Sequence, residues 1–403
     1  MTALPSGFLW GAATSPHQTE GNNLASDWWT NEHRSQGRLQ LSGDADDSYH
    51  RYAEDMELLA RAGLNAYRFG VEWARIEPVE GHVSRAALAH YRRMIDTALH
   101  LGLTPVVTLH HFTVPQWFAA AGGWMSDDGP RLFTRFVEQV TPILGGVEWV
   151  CTINEPNILA LMGHFTQDAL EAAERDLSAV VMPTPDAAIG RRLAEIHHEA
   201  AAVVRARTSA KVGWTVASQA LTPTPGNEAK HAELQYMWED LYLEAARDDD
   251  FVGVQAYTSQ AVGPEGVIPH PPHPDNTLAG WAYRPDALGM AVRHAWDVTG
   301  GVPVLVTENG IATADDPRRI AYTRDALRGL LAAIDDGVDV RGYLHWSALD
   351  NYEWGRWEPT FGLVAVDRET FERRPKPSLA WLGDVARTAG AALDDNPSAA
   401  GRP

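Results

Sequence analysis

Short apolar runs recur along the chain, each ending in polar residues and followed by a longer stretch in which apolar side chains return at helical spacing. Eight runs have this character: "GFLWGAA" (7–13), "NAYRFGVEW" (65–73), "TPVVTLHHF" (104–112), "WVCTINE" (149–155), "KVGWTVAS" (211–218), "FVGVQAY" (251–257), "VPVLVTENG" (302–310) and "VRGYLHWS" (340–347). Near-continuous apolar character without alternation marks strands covered on both faces, as in parallel sheets. Between them, "DDSYHRYAEDMELLARAG" carries Tyr52, Met56, Leu59 and Ala60 on one helical face, with Gly63 where a C-terminal cap belongs. Eight strands alternating with helices predict a single α/β domain, a (β/α)8 TIM barrel over residues 1–388, with a flexible tail over 389–403.

In such a barrel the loops after the strands build the active site, so polar groups at strand ends are expected to converge on one cavity. Those groups are Gln18 and Glu20, Arg68 and Glu72, His110 and His111, Asn154 and Glu155, Tyr257, Glu308 and Asn309, and Trp346. The proline-rich stretch 263–285 reads as a loop peripheral to the barrel.

Charge and composition narrow the partners. Lys and Arg total 33 against 53 Asp and Glu, a formal net charge of −20 that disfavours nucleic acid and anionic membranes. No apolar run reaches the ~20 residues of a membrane span. Cys151 is the only cysteine, so neither an intrachain disulfide nor a thiolate metal cluster is available. With no basic, apolar leader in "MTALPSGFLWGAATS", a soluble cytoplasmic protein is expected. The pairs His197-His198 and His270 with His273 lack a third metal ligand, and no glycine-rich phosphate loop follows the first strand, so neither metal nor cofactor is expected. His197 and His198 read as faces of an amphipathic helix, and Trp124 and Trp149 as core.

Glu155 in "TINEPN" and Glu308 in "VTENG" end the fourth and seventh runs, across the barrel mouth from each other. Burying two like charges together is costly and is tolerated where chemistry requires it. Paired carboxyls at a barrel mouth suit glycoside hydrolysis. The chain resembles family 1 of the glycoside hydrolases, the β-glucosidase and β-galactosidase family, over nearly its whole length. The resemblance rests on "FLWGAATSPHQTEG", "YHRYAEDMELLARAGLNAYRFGVEWARIEP", "LHHFTVPQWF", "TINEPN", "VPVLVTENG", "HWSALDNYEW", "FGLVAVD" and "RPKPS", in that order.

That resemblance implies a retaining β-glycosidase acting on a small-molecule β-glycoside, with Glu308 as nucleophile and Glu155 as acid/base. Retention implies carboxyl groups ~5 Å apart. Arg68 and Tyr257 would hold Glu308 ionised; their alternatives are a structural ion pair at the barrel bottom and a core aromatic. Asn154 would bind the sugar 2-hydroxyl, its alternative being a helix cap. Gln18, His111 and Glu353 would grip the hydroxyl edge, Trp346 would form the floor, and Trp354 completes the pocket. Transglycosylation on the same residues, or a sugar-binding barrel without catalysis, are the other readings.

The chain departs from the family in places. Phe112 stands where Trp is usual, removing an indole donor. Asn157 and Gln255-Ala256 replace aromatic or Asn-Tyr residues, which predicts a wider, more polar leaving-group side. "GRWEPTFG" (355–362) lacks the residues that mark 6-phosphosugar specificity, Arg356 being the one obvious phosphate ligand. "QDALEAAERDL" (167–177) and "PTPGNEAKHAEL" (223–234) stand in place of longer insertions, so a more open cleft is expected.

Overall fold

Eight parallel strands close on themselves in the computed structural model, which describes residues 4–162 and 184–394. They are β1 (Leu9–Ala13), β2 (Ala66–Gly70), β3 (Thr104–Thr108), β4 (Trp149–Asn154), β5 (Lys211–Ser218), β6 (Val252–Ala256), β7 (Val304–Glu308) and β8 (Val340–Trp346). Each pairs with the next, and β8 closes on β1 with Leu9–Ala13 in register with Gly342–Trp346. All eight expected runs are barrel strands. Seven of the surrounding helices are α1 (Ser48–Ala62), α2 (Arg85–His100), α3 (Gly129–Val140), α4 (Ala187–Arg207), α5 (Ala287–Thr299), α6 (Asp316–Asp335) and α7 (Pro377–Arg387). After β5 the chain instead runs through Glu228–Gln235, a π turn at Tyr236–Asp240 and Leu241–Ala245.

Local chemistry explains the boundaries. Gly63 ends α1 at φ 102°, a left-handed conformation that costs glycine least, and its N–H reaches the carbonyls of Ala60 and Leu59. Ser84 caps α2 by accepting from the Ala87 N–H, and Asp186 caps α4 by accepting from Ala188 and Ile189. Outside the barrel, strand residues such as Phe69, Val107, Val150, Val212 and Val306 pack under Ile95, Phe136, Val204 and Leu327. Inside, Leu9, Ala66, Val106, Trp149, Cys151, Phe251, Leu305 and Leu344 form a separate cluster that fills the barrel below the site. Each fully buried large apolar side chain there contributes roughly 1.5–3 kcal/mol. Of the two expected core tryptophans, Trp149 is buried in the inner cluster, whereas Trp124 is partly buried at the core's edge, packing edge-on against Phe118 and Phe133.

The inner cluster fixes which residues stand above it. Side chains two apart on a strand share a face, so Ala66 below places Arg68 above, Val106 places Thr108, and Leu344 places Trp346. Two strands break this rule near their ends. The β7–β6 pairing shifts between Val306 and Glu308, and the β4–β5 pairing shifts between Cys151 and Asn154. Such irregularities re-aim side chains.

Residues 391–394, assigned to the tail on sequence grounds, form a short 3-10 turn in which Leu393 is buried and accepts a hydrogen bond from Arg324. The stretch 167–177 lies outside the described residues. No described helix is long and apolar enough to cross a membrane.

Candidate active site

Arg68 is fully buried near the barrel axis, and its fork engages three strands. Nε donates to Thr108 Oγ1 (2.9 Å), Nη1 to Glu308 Oε1 (2.5 Å) and Nη2 to Asn154 Oδ1 (2.5 Å). A planar guanidinium is suited to such divergent donation, which an ammonium could not reproduce in the same plane. Tyr257 Oη donates to the other oxygen of Glu308 at 2.5 Å. Both oxygens of the Glu308 carboxyl are therefore held, and the group itself is buried.

Glu155 sits under different rules. Its backbone is left-handed at φ 46°, where the strand gives way to the helix Pro156–Met162. Phe112 and Trp354 share this unfavourable backbone state, at φ 66° and 48°. Each such residue costs roughly 1–3 kcal/mol, and they gather at sites where position matters more than stability. Among the described residues no hydrogen bond reaches the Glu155 carboxyl. Burial pushes its pKa well above the usual carboxyl range, the charge of Glu308 adds to the rise, and Arg68 only partly offsets it. Burial also raises Glu308, but there Arg68 and the Tyr257 hydroxyl pull it back. Both carboxyls are thus raised, Glu155 further than Glu308.

Around these carboxyls stands a polar and aromatic ring. Glu353 Oε1 accepts from Trp346 Nε1 (3.2 Å) and Asn351 Nδ2 (2.8 Å). Burial lifts the Glu353 carboxyl to about 8, against the pull of its hydrogen bonds from Asn351 and Trp346. Gln18 is buried beside it, donating to the Tyr352 carbonyl (2.8 Å) and accepting from Ser15 Oγ (2.7 Å). His111 lies nearly parallel to Trp346 (centroids 5.8 Å, 18°) and to Trp354 (6.2 Å, 13°). Burial and the charge of Arg68 keep its imidazole neutral, well below the ordinary histidine range. Flat apolar faces beside hydroxyl-binding edges match the two kinds of surface a pyranose offers.

The chain matches the family model of glycosyl hydrolase family 1 over residues 1–260 and 249–391. It belongs to glycosyl hydrolase family 1. The thermostable beta-glucosidase B of Thermobispora bispora is 31% identical over 439 residues, covering 96% of this chain and 91% of that protein. Among solved structures, the beta-glycosidase BGL167 superposes with a TM-score of 0.87 at 42% identity, covering 96% and 97% of the two chains. The family 1 beta-glucosidase of Thermotoga maritima gives 0.84 at 28% identity, with 96% and 99% covered. This family 1 chain is a glycosyl hydrolase.

In this family 1 barrel the ten site residues expected from sequence occupy the mouth side together, but not every polar strand end joins them. Glu20 pairs with Arg75 (2.7 Å) and accepts from Tyr91, while Glu72 accepts from the Ala74 N–H and Thr113 Oγ1. His110 turns its ring edge to Trp124, and Asn309 bonds the Ala256 carbonyl and the Tyr343 hydroxyl. These four brace the barrel wall.

The polar lining expected on the leaving-group side is overturned at two positions. Asn157 is buried in the wall, donating to the carbonyls of Ala217 and Trp238, and Gln255 is buried with its amide on Asn154. Neither amide is free to make the leaving-group side more polar. The loop 263–285 is not peripheral: Trp281 packs on Tyr257 (5.4 Å) and Phe361 (6.1 Å), and the Ala282 carbonyl accepts from Thr258 Oγ1. The exposed Trp281 was missed because a lone Trp in a proline-rich loop carries no periodic signal. Thr108 and Thr215 were also missed, since ordinary strand residues become part of a site only through neighbours on other strands. His197, on α4, is buried and bonds Thr152 and Asp249. Among the described residues no cluster of three or more His, Cys, Asp or Glu is placed to hold a metal.

Proposed function

We propose that this family 1 hydrolase is a retaining β-glycosidase that releases a terminal non-reducing β-D-glycosyl residue by double displacement. Glu308 attacks the anomeric carbon while Glu155 protonates the departing glycosidic oxygen; water, deprotonated by Glu155, then cleaves the glycosyl–Glu308 ester with a second inversion. The observation that carries this reading is the unequal treatment of the two carboxyls. Both oxygens of Glu308 accept strong hydrogen bonds, from Arg68 and Tyr257, whereas the Glu155 carboxyl has no described donor and a raised pKa. An ionised nucleophile beside a protonated acid is what the first step needs. Asn154, His111, Gln18, Glu353, Trp346 and Trp354 are assigned to the sugar. The Thermobispora and Thermotoga relatives are named β-glucosidases, which favours a gluco-configured sugar.

The test is a panel of aryl β-glycosides (glucoside, galactoside, fucoside, xyloside and 6-phosphoglucoside), with the anomer of the released sugar read by NMR before it mutarotates. A β-anomer as first product from an unphosphorylated glycoside supports the reading. An α-anomer would mean single displacement and remove Glu308 from the nucleophile role. Added alcohol acceptors would reveal transglycosylation on the same residues.

A further inference from the structure

Asn154 Oδ1 accepts three hydrogen bonds inside the barrel: from Arg68 Nη2 (2.5 Å), Gln255 Nε2 (2.9 Å) and Thr215 Oγ1 (3.0 Å). All four side chains are fully buried. The donors come from β2, β6 and β5, and Thr215 is the register partner of Asn154. A guanidinium can only donate, so Arg68 excludes the flipped amide that would turn Nδ2 toward it. Arg68 alone does not stop the amide plane from rocking about its last torsion, which is soft for Asn. Thr215 and Gln255 reach the same oxygen from two further strands and remove that freedom.

The other end of the amide then has a fixed direction. Nδ2 lies 3.4 Å from His111 Nε2. Since Nδ2 can only donate, Nε2 is the acceptor, and the neutral ring carries its proton on Nδ1. His111 Nδ1 is buried and has no partner in the protein. The arrangement also explains a local cost: Gln255 Oε1 is a buried acceptor left unpaired. Turning the Gln255 amide to relieve it would set its oxygen against Asn154 Oδ1.

We propose that Thr215 and Gln255 are positioning residues that lock the Asn154 amide with its N–H groups facing the sugar pocket and thereby set His111 as the Nδ1–H tautomer. This lock makes the pocket demand a hydrogen-bond acceptor on the sugar where Asn154 points. It rests on the assignment of Asn154 to the 2-hydroxyl made above.

The experiment compares kcat/KM for the preferred aryl β-glycoside and for its 2-deoxy analogue in wild type, Thr215→Val, Gln255→Met and Thr215→Ser. Thr215→Val and Gln255→Met are each expected to lose about tenfold on the 2-hydroxy substrate, the scale of one buried hydrogen bond, and to stay within about twofold of wild type on the 2-deoxy substrate. Thr215→Ser, which keeps the hydroxyl, should behave as wild type. An equal fall on both substrates, or no fall on either, overturns the positioning role. Wild type that cleaves both substrates equally well overturns the 2-hydroxyl assignment itself, while loss of activity in Glu308 variants would leave the double-displacement reading standing. A readout that needs no variant is the 15N NMR spectrum of His111 in the wild-type protein. A protonated Nδ1 with a bare Nε2 is expected, and the opposite tautomer overturns the lock.

Discussion

Arg68 and Glu308 form a buried ion pair, Nη1 to Oε1 at 2.5 Å, and the same guanidinium also holds Asn154. One cation on β2 thus positions the group assigned to attack the sugar and the amide assigned to bind it. Removing either partner of a buried pair leaves an uncompensated charge, typically at a cost of about 3–5 kcal/mol. Arg68→Met should therefore lower the melting temperature by several degrees as well as abolish turnover, whereas Glu308→Gln, which keeps a neutral hydrogen-bonding group, should destabilise less. Calorimetry on the two variants checks this order.

Glu308→Ala should reduce turnover at least about a thousandfold with an unchanged circular dichroism spectrum, as expected for loss of a nucleophile. With azide present, any product should be the α-glycosyl azide, formed by one inversion. Near-normal activity in this variant would end the nucleophile assignment.

Glu155→Ala should behave differently. Substrates with good leaving groups need little protonation, so their first step should survive while the glycosyl-enzyme accumulates as a burst. Azide should then rescue turnover and yield the β-glycosyl azide. Recovery of the α-azide instead would exchange the two assignments.

Tyr257→Phe removes the hydroxyl that donates to Glu308 Oε2 but keeps the ring that packs on Trp281 and Phe361. That hydrogen bond lowers the Glu308 pKa, so without it the carboxyl ionises at higher pH. The acidic limb of the kcat/KM profile should move upward, with a loss of about tenfold or more at its optimum. An unmoved limb would show that Tyr257 does not tune the nucleophile.

Glu353 offers a stability test. Its carboxyl is lifted from an ordinary 4.5 to about 8 by burial. The folded state thus holds a proton that the unfolded chain has already released between these values. Stability from this group is full below about 4.5 and is lost as pH rises to about 8. Glu353→Gln does not titrate, so its melting temperature relative to wild type should rise with pH across that window. A pH-independent difference would place the ionisation elsewhere.

Much of this was legible in the chain because the barrel repeats one signal eight times. The eight strand runs, Gly63 as a cap and the gathering of the ten expected residues at the strand ends follow from apolar patterning or from motifs that stay contiguous in sequence. What escaped lies between strands. A strict two-residue period from Leu305 presents Thr307 to the barrel interior and turns Glu308 away; only the register shift after Val306 turns the carboxyl inward, and no pattern within one strand encodes it. Gln255 reads as a leaving-group residue because Gln255-Ala256 departs from the family's usual Asn-Tyr, yet its amide crosses to β4 to hold Asn154.

The stretch "VTENG" ends in Gly310. At Gly310 a β-carbon would overlap the carbonyl oxygen of Trp346, and the Trp346 N–H donates to the Asn309 carbonyl at 2.9 Å. The backbone that carries Glu308 therefore lies directly against the backbone that carries Trp346, with no side chain between them to act as a spring. The reach from Glu308 to whatever rests on Trp346 starts from two main chains in direct contact and is fixed at the carboxyl by Arg68 and Tyr257. Trp281 and Leu278, by contrast, stand exposed on a loop that meets that frame through packing on Tyr257 and Phe361 and hydrogen bonds such as the Leu278 N–H to the Ala312 carbonyl. A substitution at Trp281 or Leu278 would therefore alter an exposed rim and leave the Gly310–Trp346 backbone contact untouched.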